Sequence, residues 1–185
     1  RKLMLVKESG AFVCLPGGFG TLDETFELLT LTQTGKGIPV PIVFLDTPGD
    51  PFWEHVHQFA VDQLLTRGLI AEADTSLYTI TDSCDEAVDE IERFYANYHS
   101  IRNVGTELVV RLQHEPTDAQ IDELNERFGH LASKGRIRRV APYDVERRQD
   151  DHVDLPRIAM AFNQRGYAEL RGLIDTVNGW IADRP

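Results

Sequence analysis

The stretch Leu15-Pro16-Gly17-Gly18-Phe19-Gly20-Thr21-Leu22-Asp23-Glu24 constrains this chain more than any other. It follows an apolar run, Ala11-Phe12-Val13-Cys14-Leu15, and opens a segment in which Leu22, Phe26, Leu28 and Leu29 recur at helical spacing. Strand, glycine loop and helix start, in that order, turn backbone N–H groups toward one point and make an anion cradle. Glycine admits positive φ and lets a ligand approach the main chain without a Cβ in the way. The glycine loop is therefore a candidate phosphate cradle, with Glu24 one turn into the helix beside it. The spacing is neither the dinucleotide pattern G-x-G-x-x-G nor the P-loop G-x-x-x-x-G-K-[ST].

The residues alone allow two readings of Glu24. Thr21-Leu22-Asp23-Glu24 has the form of a capping box, in which Glu24 reaches back to the Thr21 amide. A carboxylate beside a phosphate cradle is equally a group for chemistry on a phosphorylated molecule. Asp23 reads as a favourable first-turn carboxylate.

The string Pro16 to Glu24 resembles the PGGxGTxxE signature of the LOG ("lonely guy") family. Arg1-Lys2 falls where that family carries an Arg-Lys pair on the preceding helix, and Ala11 to Leu15 matches its strand. The segment through Asp46, the helix near Phe52 to Leu65, Gly68-Leu69-Ile70 and the helix ending near Tyr95 follows the family in order and spacing. The resemblance covers the first half of the chain and not the second. It implies a Rossmann-like nucleotide-binding fold and, usually, a homodimer. It also implies hydrolysis of the N-glycosidic bond of nucleoside 5′-monophosphates, AMP or cytokinin nucleotides among them, with no cofactor and no metal. Carried over residue by residue, Arg1 and Glu24 match the catalytic pair, and Gly17, Gly18, Gly20 and Thr21 match the phosphate-binding turn. Many relatives carry a "lysine decarboxylase" label. The chain has only four lysines, Lys2, Lys7, Lys36 and Lys134, and none sits in a setting that suggests a desolvated Schiff-base amine. The alternative function is a non-catalytic nucleotide or cofactor carrier on the same fold.

The chemistry follows from the parts. Cleavage of a C1′–N bond passes through an oxocarbenium-like state, which a carboxylate near the ribose stabilises while it orients or deprotonates water. Holding the 5′-phosphate at a helix N-terminus would fix the ribose against that carboxylate.

The expected fold class is α/β: a Rossmann-like parallel sheet, then a small α+β unit of order βαββα. Ala11–Leu15, Val40–Asp46 and Leu77–Thr81 are the parallel-strand candidates. The earlier strand, glycine turn and helix that complete the pocket in the family are missing, so the expectation is of the C-terminal part of a longer polypeptide, with that N-terminal segment as a partner. Residues 1–100 are expected to be the nucleotide-binding part and residues 105–185 an accessory domain, with the boundary between Tyr98 and Thr106. In the second domain the reading is a strand at Thr106–Gln113, a helix from Pro116-Thr117-Asp118 and a strand at Arg136–Ala141 entered through Gly135. A polar loop, Pro142–Asp154, then precedes a strand at Arg157–Asn163 and a helix at Tyr167–Ile181. Asp150-Asp151-His152-Val153-Asp154 reads as a solvated acidic loop and Trp180 as a packing or interface residue.

Charge excludes one class of partner. Residues 1–101 hold 6 Lys/Arg against 16 Asp/Glu, nearly all of the net −11, which makes nucleic acid an unsuitable ligand. The basic run Lys134-Gly135-Arg136-Ile137-Arg138-Arg139 reads as an edge strand protected by charge, with a phosphorylated effector site as the alternative. No apolar run approaches the ~20 residues of a membrane span, and no signal peptide is visible. Two cysteines without metal-ligand spacing point to a reducing compartment, the cytoplasm.

Overall fold

The computed structural model describes residues 8–164 and 166–182. The chain folds into two compact units. One takes Arg1–Phe94 with Tyr167–Gly172, and the other Tyr95–Gly166 with Leu173–Pro185.

The first unit is built on a parallel sheet of order β1-β2-β3, with β1 at Phe12–Cys14, β2 at Ile42–Leu45 and β3 at Thr79–Thr81. Its helices are α1 (Phe19–Gln33), α2 (Phe52–Phe59, continued by a π-helical turn at Ala60–Leu65) and α3 (Cys84–Phe94). Ile42, Val43 and Phe44 are almost wholly buried, as expected of a parallel strand covered on both faces. Phe44 stacks between Trp53 and Tyr78, with ring centroids 4.4 and 4.3 Å away. Helix α2 has no side-chain cap of its own. Instead the buried Asp46, at the end of β2, accepts the Trp53 amide at 2.9 Å and so fixes the helix start against the sheet.

The C-terminal segment 167–172 also belongs to this unit. Arg171 donates to Glu90 of α3 and lies 5.2 Å over the Phe94 ring, so the buried Glu90 carboxylate is paired. Tyr167 packs on the backbone of Gly35, just beyond α1. There φ is +69° and a Cβ would come within 2.2 Å of the ring.

The second unit contains a four-stranded antiparallel sheet of order β4-β5-β7-β6. The strands are β4 (Tyr98–Val104), β5 (Glu107–Leu112), β6 (Ala132–Arg139) and β7 (Arg157–Phe162). The helices are α4 (Asp118–Phe128), the short α5 (Asp144–Gln149) and α6 (Glu169–Ala182), whose first turn lies in the other unit. The expected order from β5 to α6 is present, with α5 inside the loop read as polar and with β4 added ahead of it. Tyr98–Val104, read as a boundary, is an edge strand joined to β5 through Gly105, whose φ is +60°. Gly135 does not start β6. It lies within that strand at φ +70°, where the pairing with β7 shifts register.

Register sorts the side chains of this sheet. Leu108 pairs with Met160 and Val110 with Ile158 on one face, all of them fully buried. Ile121, Leu124 and Phe128 of α4 and Leu173 and Val177 of α6 supply further buried apolar groups. On the other face Arg111 stands directly opposite Arg157. Two guanidiniums facing each other across a ladder repel, and both are buried. Glu146 of α5 resolves the conflict. One of its carboxylate oxygens lies 2.7 Å from Arg111 and 2.8 Å from Arg157, while the other accepts the Tyr143 amide at 3.0 Å. Burial alone would raise the Glu146 carboxyl, but the bonds from the Tyr143 amide and Arg111, with the charge of Arg157, hold it below the ordinary carboxylate value.

The basic strand β6 is an edge of this sheet, and Arg136, Arg138 and Arg139 are each ion-paired, with Asp122, Glu107 and Asp118. That pairing favours the protected-edge reading over an anion site. Trp180 donates to Glu123 of α4 at 3.0 Å, as a packing residue would.

Two substitutions test this packing. Glu146→Ala leaves the buried Arg157 guanidinium without its carboxylate and Arg111 with Asp151 alone, and is expected to cost about 3–5 kcal/mol in denaturant unfolding. Gly35→Ala meets both a left-handed backbone and the Tyr167 ring. We expect a loss of about 2 kcal/mol or more, read as a fall in melting temperature.

Candidate active site

The turn after β1 delivers the chain into α1 with no side-chain cap. Gly18 is the N-cap, at φ −85° and ψ −163°, and nothing bonds to the first amides through a side chain. The first intrahelical bond is from Leu22 N–H to the Gly18 carbonyl, so the N–H groups of Phe19, Gly20 and Thr21 precede the ladder. Three aligned donors at the positive end of a 15-residue helix are what an anionic group requires.

The glycines serve a narrower purpose than positive φ, which none of Gly17, Gly18 and Gly20 adopts. At Gly17 the requirement is close approach, since a Cβ there would lie 2.3 Å from Thr21 Oγ1. Gly18 and Gly20 have open space where a Cβ would point.

Helix α1 starts at Phe19, two residues before Thr21, and this removes the capping-box reading. Glu24 lies in the second turn, is exposed, and makes no hydrogen bond or ion pair among the described residues. Asp23 lies beyond the first turn as well. Thr21 and Glu24 line one cavity of about 450 Å³, whose other wall includes Phe12, Cys14, Pro16 and Leu28. Burial pushes the Cys14 thiol up, partly offset by a hydrogen bond with Thr25, so Cys14 stays a neutral wall residue rather than a nucleophile. Arg1 and Lys2 lie outside the described residues.

A second cavity, about 530 Å³, opens at the carboxyl ends of β2 and β3 and is lined by Asp46, Asp50, Glu54, Asp82 and Glu86. Open α/β sheets bind ligands outside the carboxyl ends of their strands, but these carboxylates would repel a phosphate. The glycine turn at the end of β1 is the part of this sheet edge suited to an anion. Sequence reading did not single out this acidic cavity, because its residues are spread from Asp46 to Glu86 and only the parallel pairing of β2 and β3 joins them. Among the described residues no group of three or more His, Cys, Asp or Glu side chains could hold a metal ion, and no helix is long and apolar enough to cross a membrane.

Residues 1–91 match the family model described as "Possible lysine decarboxylase". Curated relatives align over the same share of the chain. A probable cytokinin riboside 5′-monophosphate phosphoribohydrolase of Oryza sativa subsp. japonica is 31% identical over 99 residues, covering 54% of this chain and 44% of the relative. The cytokinin riboside 5′-monophosphate phosphoribohydrolase LOG of the same plant is 31% identical, covering 53% and 39%. An Arabidopsis thaliana enzyme of that name is 32% identical over 94 residues, covering 51% and 42%. The first half of this chain is similar to the LOG enzymes. The chain spans less than half the length of these curated relatives.

The geometry separates two glycines that look alike in sequence. Gly17→Ala is expected to push Thr21 aside and lower the melting temperature. Gly20→Ala, in open space at a helical position, is expected to be neutral or to stabilise by up to about 1 kcal/mol. Thermal unfolding of the two variants side by side makes the comparison.

Proposed function

We propose that this chain is a hydrolase of nucleoside 5′-monophosphates, AMP or a cytokinin nucleotide, that cleaves the N-glycosidic bond to give free base and ribose 5-phosphate. The observation that carries the reading is the uncapped start of α1 beside a cavity that Thr21 and the unpaired Glu24 both line. A helix cap would already have a partner, whereas a carboxylate free of bonds can take a proton. The names of the curated relatives support the same substrate class.

In this reaction the 5′-phosphate sits on Gly17, Gly18, Gly20 and Thr21, held by the amides that precede the helical ladder. Remote binding of that kind orients the ribose toward Glu24. Glu24 takes a proton from water. The water oxygen bonds to C1′ as the C1′–N bond breaks, and the base departs with the electron pair and takes up the proton that Glu24 removed from water, which returns Glu24 to its ionised form. Arg1 neutralises charge on the phosphate or on the departing base. No cofactor is required for this balance.

The proposal extends to architecture and setting. The unit of residues 1–94 with 167–172 acts in nucleotide binding, and the unit of residues 95–166 with 173–185 acts as an accessory domain, in a cytoplasmic homodimer. Val13, Leu15, Phe19 and Phe26 are exposed apolar groups around β1 and α1 that a second copy would cover. Cys14 and Cys84 are both free, in keeping with a reducing compartment.

The test is the full-length protein with a panel of nucleoside 5′-monophosphates, assayed for free base and ribose 5-phosphate. Glu24→Gln should lower kcat about 10²–10⁴-fold with an unchanged melting temperature, since Glu24 bonds to nothing among the described residues that would be lost. Tight nucleotide binding without turnover in both proteins would make the chain a carrier and overturn the hydrolase.

A further inference from the structure

The face of the antiparallel sheet that carries Arg111 and Arg157 is closed by α5 and the segment after it, residues 150–155. That segment has little regular structure of its own. Asp150, the C-cap of α5, and His152 both sit in the left-handed region, at φ 51° and 52°. The holding contacts are ionic. Asp151 Oδ2 accepts from Arg111 Nη2 at 2.7 Å and from Arg102, and Arg157 donates to the His152 carbonyl. Arg102 also donates to Gln149 at 2.6 Å. With Glu146, the cluster sets three guanidiniums against two carboxylates and carries a surplus positive charge.

Onto this cluster the sheet edge and the segment each add an imidazole. The rings of His99, on β4, and His152 lie 4.4 Å apart at 61°. We propose that the His99–His152 pair is an acid-operated latch, in which protonation of His99 releases residues 150–155 from the edge of the antiparallel sheet. The proposal is independent of the catalytic reading of Glu24.

The surroundings of His99 decide the direction. Its own strand contributes Ser100, whose hydroxyl lies 2.9 Å from His99 Nδ1, and Arg102; β5 contributes Arg111; the segment contributes Asp151 and His152. Of these only Asp151 favours a proton on His99, and its charge is already shared between Arg102 and Arg111. Burial first, then His152 and Arg111, hold His99 below the ordinary histidine value, partly offset by Asp151. The closed latch therefore binds a proton less well than the open one. Its stability is fully present above the ordinary histidine pKa, about 6.5, and declines as the pH falls below it. Glu146 and Asp151 are held below their ordinary carboxylate values and stay ionised through that window, so their acid response lies lower.

Hydrogen exchange of residues 150–155 in the whole protein, at pH 7.5 and 5.5 and corrected for intrinsic rates, tests the latch. The wild type should open measurably more readily at pH 5.5 than at pH 7.5. The single variants His99→Gln and His152→Gln each keep a ring-sized polar group without the charge, and each should flatten that dependence. An equal degree of opening at both pH values in the wild type, or a pH response retained in both variants, would overturn the proposal.

Discussion

Gly17 approaches Thr21 more closely than any residue with a Cβ could, and the candidate site depends on that contact. Because the turn is this tight, α1 starts at Phe19, directly after Gly18, instead of waiting for Thr21 to serve as a cap. Three consequences follow from one steric fact. The first amides of the helix are left without a side-chain acceptor, Thr21 faces the cavity, and Glu24 moves into the second turn where no backbone amide claims it. An anion site and an unengaged carboxylate therefore sit one helical turn apart at the end of one strand.

The second unit rests on a different kind of constraint. Its sheet brings two arginines into register on adjacent strands, a placement that is unfavourable until an opposite charge is inserted. Glu146 supplies that charge from a six-residue helix too short to be stable alone. The closure of the sheet is thus electrostatic where its other face is apolar. A face closed by charge responds to pH and salt, whereas one closed by leucine and methionine does not.

Much of this was legible in the chain. Strands β1 and β2 are short apolar runs bounded by turns, β3 is a β-branched Thr-Ile-Thr segment, and helices α1, α3, α4 and α6 carry apolar residues at helical spacing, so their existence and order could be read directly. Strand β4 could not, because Tyr98-His99-Ser100-Ile101-Arg102-Asn103-Val104 alternates no apolar face; it is an edge strand, and its neighbours are charged. The acidic run at Asp150 to Asp154 looked solvated, yet Asp151 bridges Arg102 and Arg111, residues 49 and 40 positions away in sequence. The capping-box pattern at Thr21 and Glu24 was a true local signal that the preceding glycine turn overrode.

By itself the sequence determined the order of elements, the site of the glycine turn and the likeness of its first half to the LOG enzymes, because each is written in contiguous residues or in periodicities a few residues long. Tertiary structure decided which charges are solvated and which are buried partners, where α1 begins, and that Glu24 is left unpaired. Those outcomes depend on distances between residues far apart in the chain, or on one atom's clearance from another, and neither is encoded in local spacing.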